Sequence, residues 1–144
     1  PPATRDTFSG LDIEIALTLK TQNFNRTERA IDTISLFYPS WLQPSIARVD
    51  LAIAQGIPKL PREFRDLMAR RPERLDLWLA LARFALAFKK DHLLFEARGW
   101  EALLNGKLEA SQTMLSRATK SWPKTLDSRP LDLLEKAIKQ SQSI

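Results

Sequence analysis

Residues 75–88 read LDLWLALARFALAF, and this stretch decides the fold class of the chain. A helix drawn through it carries apolar side chains on every side, with Arg83 as its one basic residue. A helix that is apolar all round lies in the middle of a packed assembly. The run is 14 residues long, whereas a bilayer-spanning helix needs about 20. We therefore predict a buried helix in a globular protein, and no membrane span in this chain.

Helix start and stop signals recur about every 15 to 20 residues on both sides of this stretch. The predicted helices end at Pro39, Gly56, Pro72, the Asn105–Gly106 turn and Pro123, because proline and glycine interrupt helical geometry. The segments between these breaks place apolar residues at helical spacing. The pattern predicts an all-α protein of about eight helices.

The first predicted helix has a competing interpretation. Ser9, with Asp12 three residues later, is typical of a helix start, and Phe8 is spaced to pack on Ile13. However, apolar residues alternate with mostly polar ones from 11 to 19, and this period of two is typical of a strand. We predict a helix, because the capping signals agree and no other segment offers a convincing strand partner.

Short connections between the predicted helices place neighbours antiparallel, so the chain becomes a row of helical hairpins. Pro39 and Pro72 each close the second helix of a pair and lie 33 residues apart. A period near 34 with paired helices is typical of an α-solenoid of tetratricopeptide type. Stacking completes the core, because one hairpin cannot bury both of its apolar faces.

The chain resembles the tetratricopeptide family over roughly residues 41–123. The positions that carry the resemblance are Trp78, Leu81 and Ala82, which match the signature of a first helix, and Gly99, Gly106, Ala118 and Pro123, which match the small residues, the second-helix alanine and the closing proline. The two sets assign residues 92–106 to opposite helices of a pair, so the register between 73 and 123 stays open. The resemblance implies a right-handed stack of antiparallel helical hairpins, with residues 1–144 as one helical-repeat domain. A non-repeating helical bundle is the alternative.

Composition argues against an enzyme. The 144 residues include no Cys, one His and four scattered Gly, which removes thiolate chemistry, most metal-ligand sets and a phosphate-cradling loop. His92 follows Asp91 at a predicted helix start, where a surface or capping role is expected. The acid pair Glu96 and Glu101 is expected to be solvated on a helix. We predict no cofactor, no metal and no catalytic residue.

The net charge of +5 is compatible with a polyanionic partner. A candidate basic patch comprises Arg62, Arg65, Arg70, Arg71 and Arg74. Acidic residues are interleaved with these arginines, so a solvated helix face is the competing interpretation.

Four further residues are candidates for partner contact, namely Arg48, Arg83, Arg98 and Trp100. The family resemblance implies that the first helices of the pairs line a concave surface, which favours the polar residues on them. Arg83 interrupts an apolar helix and must reach a carboxylate or open onto a groove, because burying an unpaired guanidinium is costly. Trp100 shares its helix with Arg98 and is expected to be partly exposed.

These observations predict a protein–protein interaction or scaffold domain that binds an acidic or amphipathic partner segment in a helical groove. A basic nucleic-acid-binding domain is the alternative. Since the chain opens at Pro1 without Met, we expect it to be excised from a longer protein with a possible membrane anchor. By analogy with the family, it would belong to a membrane-associated assembly, secretion or polymer-export machine. The expected location is the cytoplasm or a membrane surface that faces it.

Overall fold

The computed structural model describes the backbone of residues 4–143, with side chains from Gly10 to Ser143. This part of the chain is all-α and contains eight helices, which pack as helical hairpins. Their bounds are α1 Thr4–Lys20, α2 Phe24–Phe37, α3 Gln43–Gln55, α4 Arg62–Arg70, α5 Leu75–Ala87, α6 Asp91–Leu104, α7 Leu108–Ser121 and α8 Arg129–Gln142. None of these helices combines the length and apolar character that a bilayer crossing requires.

The chain divides into two compact units, residues 1–64 (unit 1) and residues 65–144 (unit 2), and the division falls within α4. The prediction of one helical-repeat domain over residues 1–144 stays a prediction, as do the tetratricopeptide repeat and the handedness of the stack.

Unit 1 is built on α1, α2 and α3, which pack on one another. Its core contains Ile15, Ile31, Ile34 and Leu51. The predicted helix over the alternating segment is confirmed, but it begins at Thr4 and not at Ser9. Ser9 therefore lies inside α1 and does not cap it, and the predicted packing of Phe8 on Ile13 lies outside the described side chains.

The second helix, α2, begins at Phe24. Its N-cap is Asn23, whose side chain makes no capping hydrogen bond, and Asn25 lies inside the helix. The turn before α2 fixes this start, because Gln22 takes a left-handed conformation (φ 60°) and the N–H of Asn23 donates to the carbonyl oxygen of Thr18. This hydrogen bond closes the C-terminal end of α1, and α2 begins at the following residue, Phe24.

In unit 2, each of α5, α6 and α7 packs on the helix that follows it, and α6 also contacts α8. The prediction that α5 is buried is confirmed for most of its length: Leu77, Trp78, Leu81 and Phe84 are buried. Leu86, in its last turn, is exposed. Leu79 and Arg83 are exposed as well, and with Leu86 they form one face of the helix, so α5 is a core helix with one exposed face and is not buried all round.

Gly99 lets three helices of unit 2 approach one another closely. A Cβ atom placed on Gly99 would lie 2.8 Å from Cδ2 of Leu134 on α8 and 3.5 Å from Cβ of Met114 on α7. The hydroxyl of Ser111 on α7 donates to the carbonyl oxygen of Gly99 at 2.7 Å. This close approach holds α6 against both α7 and α8.

Candidate interaction groove

Unit 2 contains a groove of about 290 Å³ that is lined mainly by α4 and by the start of α8. Apolar atoms supply most of its surface. The lining residues are Arg65, Asp66, Met68 and Ala69 of α4, Trp78 of α5, Glu96 of α6, and Asp127, Arg129, Pro130 and Leu133 in and before α8. Five of these ten residues are charged, so the groove combines an apolar wall with several charged groups, and binding sites likewise combine apolar walls with polar groups that orient a ligand.

A buried carboxylate lies in the wall of the groove. The Glu96 side chain is 1% exposed, and both of its oxygens accept hydrogen bonds from Arg65, at 2.6 Å from Nη1 and 3.1 Å from Nη2. Burial raises the pKa of Glu96, and the charge and hydrogen bonds of Arg65 oppose that rise. The bidentate pair compensates a charge that would otherwise be costly inside the unit. It also fixes the Arg65 guanidinium against α6.

A second ion pair borders the groove where the chain enters α8. The backbone N–H of Arg129 donates to Oδ1 of Asp127 at 3.0 Å, and its Nε donates to Oδ2 at 2.5 Å. The backbone hydrogen bond from Arg129, followed by its side-chain hydrogen bond, lowers the pKa of Asp127. Both arginines that line the groove therefore already have carboxylate partners.

Trp78, which lines the groove, is stacked on Trp100, which does not line it. The rings of Trp78 and Trp100 are nearly parallel, at 7°, with centroids 5.0 Å apart, and Nε1 of Trp78 donates to the carbonyl oxygen of Pro72 at 2.8 Å. The core position predicted for Trp78 is confirmed. The expectation that Trp100 is partly exposed is wrong: it is 3% exposed, because α6 turns the face of Leu93, Ala97 and Trp100 into the core.

Three of the five arginines of the candidate basic patch have carboxylate partners. Arg65 binds Glu96, Arg71 binds Glu73 at 2.9 Å, and Arg74 binds Asp76 at 2.9 Å. Arg62 and Arg70 are exposed and form no ion pair with the described residues. Of the five arginines, Arg65 alone lines the groove.

The four predicted partner-contact residues lie outside the groove. Arg48 reaches Asp32 at 3.2 Å and the hydroxyl of Ser35 at 3.1 Å within unit 1. In unit 2, Arg98 reaches Glu101 at 2.7 Å, and Arg83 is exposed on α5. Their roles in binding stay predictions.

Glu96 is the groove residue that the sequence interpretation missed, and the prediction that it is solvated is wrong. A usable signal is present, because Leu93, Glu96, Ala97 and Trp100 are spaced by three and four residues and so share one helix face. The tryptophan and the leucine on that face indicate that it is buried. The Asp127–Arg129 pair lies at a loop–helix junction, where the spacing of apolar residues in the sequence does not predict it.

His92 lies in the first turn of α6 and is half-buried. Its ring meets the ring of Trp122 edge-on, with centroids 5.2 Å apart. Burial lowers the pKa of His92, the charges of Lys90 and Arg65 lower it further, and Asp91 opposes them. Among the described residues, no cluster of His, Asp and Glu could hold a metal ion.

Comparison of the chain with protein-family models, with curated proteins and with solved structures found no significant match.

Proposed function

We propose that this protein is a non-enzymatic interaction domain, and that the groove of unit 2 binds an amphipathic segment of a protein partner. The observation that carries this proposal is the groove itself, with Met68, Trp78, Pro130 and Leu133 in its wall and the Arg65–Glu96 and Asp127–Arg129 pairs beside them. Its volume of about 290 Å³ lies at the lower end of the range for small-molecule sites. It suits one large apolar side chain that anchors a longer segment.

The ion pairs favour an amphipathic segment over a strongly acidic one. An acidic side chain entering the groove would compete with Glu96 for Arg65 and with Asp127 for Arg129. An apolar side chain can bury surface on the groove wall while the polar groups of the segment stay in water. The proposed ligand is therefore a segment with an apolar anchor.

The test selects displayed random peptides on the immobilised full chain and then titrates a synthetic copy of the enriched peptide. Ala69→Arg should weaken binding at least tenfold, because Ala69 is exposed in the wall and the longer side chain fills the groove. Ala110→Arg is the matched control, because Ala110 is an exposed helical position of unit 2 outside the groove. Its peptide affinity should stay within twofold of the wild type.

Two results would overturn the proposal. One is a peptide that binds Ala69→Arg as tightly as the wild type. The other is a selection that enriches no peptide, together with micromolar binding of labelled oligonucleotides. That binding would weaken steeply as salt is added, as expected of a nucleic-acid-binding domain.

A further inference from the structure

Three chain segments meet at one end of unit 2, where α5 ends, α6 begins and α7 ends. The ring contact between His92 and Trp122 holds the first turn of α6 against the residue that follows α7. Lysines concentrate in these segments. We call this surface the lysine-rich end, and it comprises Lys89, Lys90, Lys120 and Lys124 together with Leu86 and Leu126. It shares no residue with the groove.

The lysine-rich end carries much of the charge excess of the protein. Unit 2 contains fifteen Lys and Arg against ten Asp and Glu, whereas unit 1 contains seven of each, so the whole excess of +5 belongs to unit 2. None of the four lysines forms an ion pair within the described side chains. The neighbouring acids are Asp91 and Asp127, together with Asp132 and Glu135, which line the same surface hollow as Lys120. Asp127 already binds Arg129, and Glu135 already binds Lys139, so Asp91 and Asp132 are left to offset the four lysines. The end is therefore a net positive surface.

Two leucines project from the same end. Leu86, in the last turn of α5, is 58% exposed, and Leu126, between α7 and α8, is 48% exposed. Exposed leucines beside lysines suit the boundary between lipid headgroups and acyl chains, where the apolar side chains leave water and the ammonium groups meet phosphates.

The aromatic residues beside these lysines, Phe88 and Trp122, are both half-buried and do not offer an open platform for nucleic-acid bases. The Trp122 ring is packed against His92, and its Nε1 donates to the carbonyl oxygen of Asp127 at 3.1 Å. Single-stranded nucleic acid is bound by open aromatic faces on which bases stack. Exposed leucines do not supply such faces, so the surface fits an anionic lipid better than a nucleic acid.

Lys89 takes a backbone conformation that suits glycine. It has φ 53°, and the next residue, Lys90, donates its N–H to the carbonyl oxygen of Ala85 at 2.9 Å. Gly106 takes the same position at the end of α6, with φ 75° and the corresponding hydrogen bond from Lys107 to Ala102. A lysine is less stable than a glycine in this left-handed conformation. Lysine at position 89 therefore adds a positive charge to this end but makes the protein less stable than glycine there would.

We infer that the lysine-rich end binds the surface of an anionic lipid bilayer. The lysines supply the attraction to lipid phosphates, and Leu86 and Leu126 enter the interface beneath the headgroups. This binding does not depend on the groove or on the partner proposed for it.

The test is co-sedimentation of the full chain with vesicles of phosphatidylcholine, alone or with one quarter phosphatidylglycerol. We expect binding to the anionic vesicles alone, weakened by added salt. Lys89→Gly should weaken partitioning about fivefold while raising the melting temperature, so the loss cannot come from unfolding. Lys89→Gly combined with Lys124→Gln should weaken it about 25-fold. Leu126→Ser should also weaken it.

The matched control combines Lys107→Gln with Lys136→Gln, two exposed lysines of unit 2 outside this end, and should change partitioning less than twofold. The inference is overturned if this control weakens vesicle binding as much as Lys89→Gly combined with Lys124→Gln does, because the net charge of the protein would then explain the binding. It is equally overturned if anionic vesicles bind no better than neutral ones. An oligonucleotide that displaces the vesicles, with binding unchanged by Leu126→Ser, would identify a general polyanion site instead.

Discussion

Glu96 and Arg65 are the pair of residues on which the groove wall depends, and their burial is unequal. The Glu96 side chain is 1% exposed, whereas the Arg65 side chain is 31% exposed and can reach water. Removal of Arg65 therefore leaves a buried carboxylate without a partner. Removal of Glu96 leaves an arginine without a partner, but water can solvate it. The two single substitutions should not be equivalent.

The first prediction concerns Arg65→Met. Without Arg65, the pKa of Glu96 in the folded state rises further above the unfolded value of 4.5. A folded pKa above the unfolded one gives stability that is present at low pH and lost as pH rises. We expect a loss of about 3 kcal/mol in the free energy of unfolding at neutral pH and a much smaller loss near pH 4.5, measured by urea denaturation. Arg65→Met with Glu96→Met should recover most of the loss. An equal loss at both pH values would contradict this account.

The second prediction concerns His92, whose pKa is lowered from 6.5, first by burial and then by Lys90 and Arg65. The folded protein then binds fewer protons here than the unfolded chain, so stability falls as pH drops through 6.5. His92→Phe keeps a ring against Trp122 and should remove this component of the pH dependence, which denaturation of both proteins between pH 5 and 8 would measure. Because His92 is the only histidine, an NMR titration of its imidazole gives the folded pKa directly. A measured value above 6.5 would show that the direction is wrong.

At the scale of the element, α1 shows why its alternating sequence is compatible with a helix. Two residues along a helix correspond to a rotation of about 200°, so an alternating pattern divides into two opposite faces. Leu11, Ile15 and Leu19 pack in the core of unit 1, while Ile13 and Leu17 are exposed. The local capping signals favoured the helix correctly. They misplaced its start, because nothing in the sequence near Ser9 interrupts a helix that continues back to Thr4.

The third prediction concerns the close packing of α6 on α7 and α8. Gly99→Ala should lower the free energy of unfolding by about 1–2 kcal/mol, because the added Cβ meets Cδ2 of the fully buried Leu134 at 2.8 Å. Gly10→Ala in α1 is the matched control, since a Cβ there has no neighbour within 4 Å. It should raise stability by about 0.5–1 kcal/mol, as expected for alanine in a helix. Urea denaturation measures the free energy of unfolding of both variants. A gain in stability in both would contradict this prediction, because it would mean that α8 moves to accommodate the added Cβ at little cost.

At the scale of the whole molecule, the sequence predicted the helices well and the groove poorly. Helix breaks at Gly56, Pro72 and Asn105–Gly106 are local signals, and the structure places helix ends there. The groove instead joins residues from Arg65 to Leu133, and their proximity depends on how α4, α5, α6 and α8 pack. Helical periodicity could have placed Glu96 in the interior, but no local pattern indicates that Arg65 is its partner.

The fourth prediction follows from the division of the chain into two compact units. Residues 59–144 keep α4 whole and contain the Arg65–Glu96 pair and the Trp78–Trp100 stack, so they have a core and an ion pair of their own. We expect this fragment to fold, with a helical circular-dichroism spectrum, blue-shifted fluorescence from its buried tryptophans and a cooperative urea transition. Gly99→Ala should shift that transition to lower urea, as in the full chain. Red-shifted emission without a cooperative transition would mean that unit 2 needs residues 1–58 to fold, and its helices could then not be treated as a separate binding body.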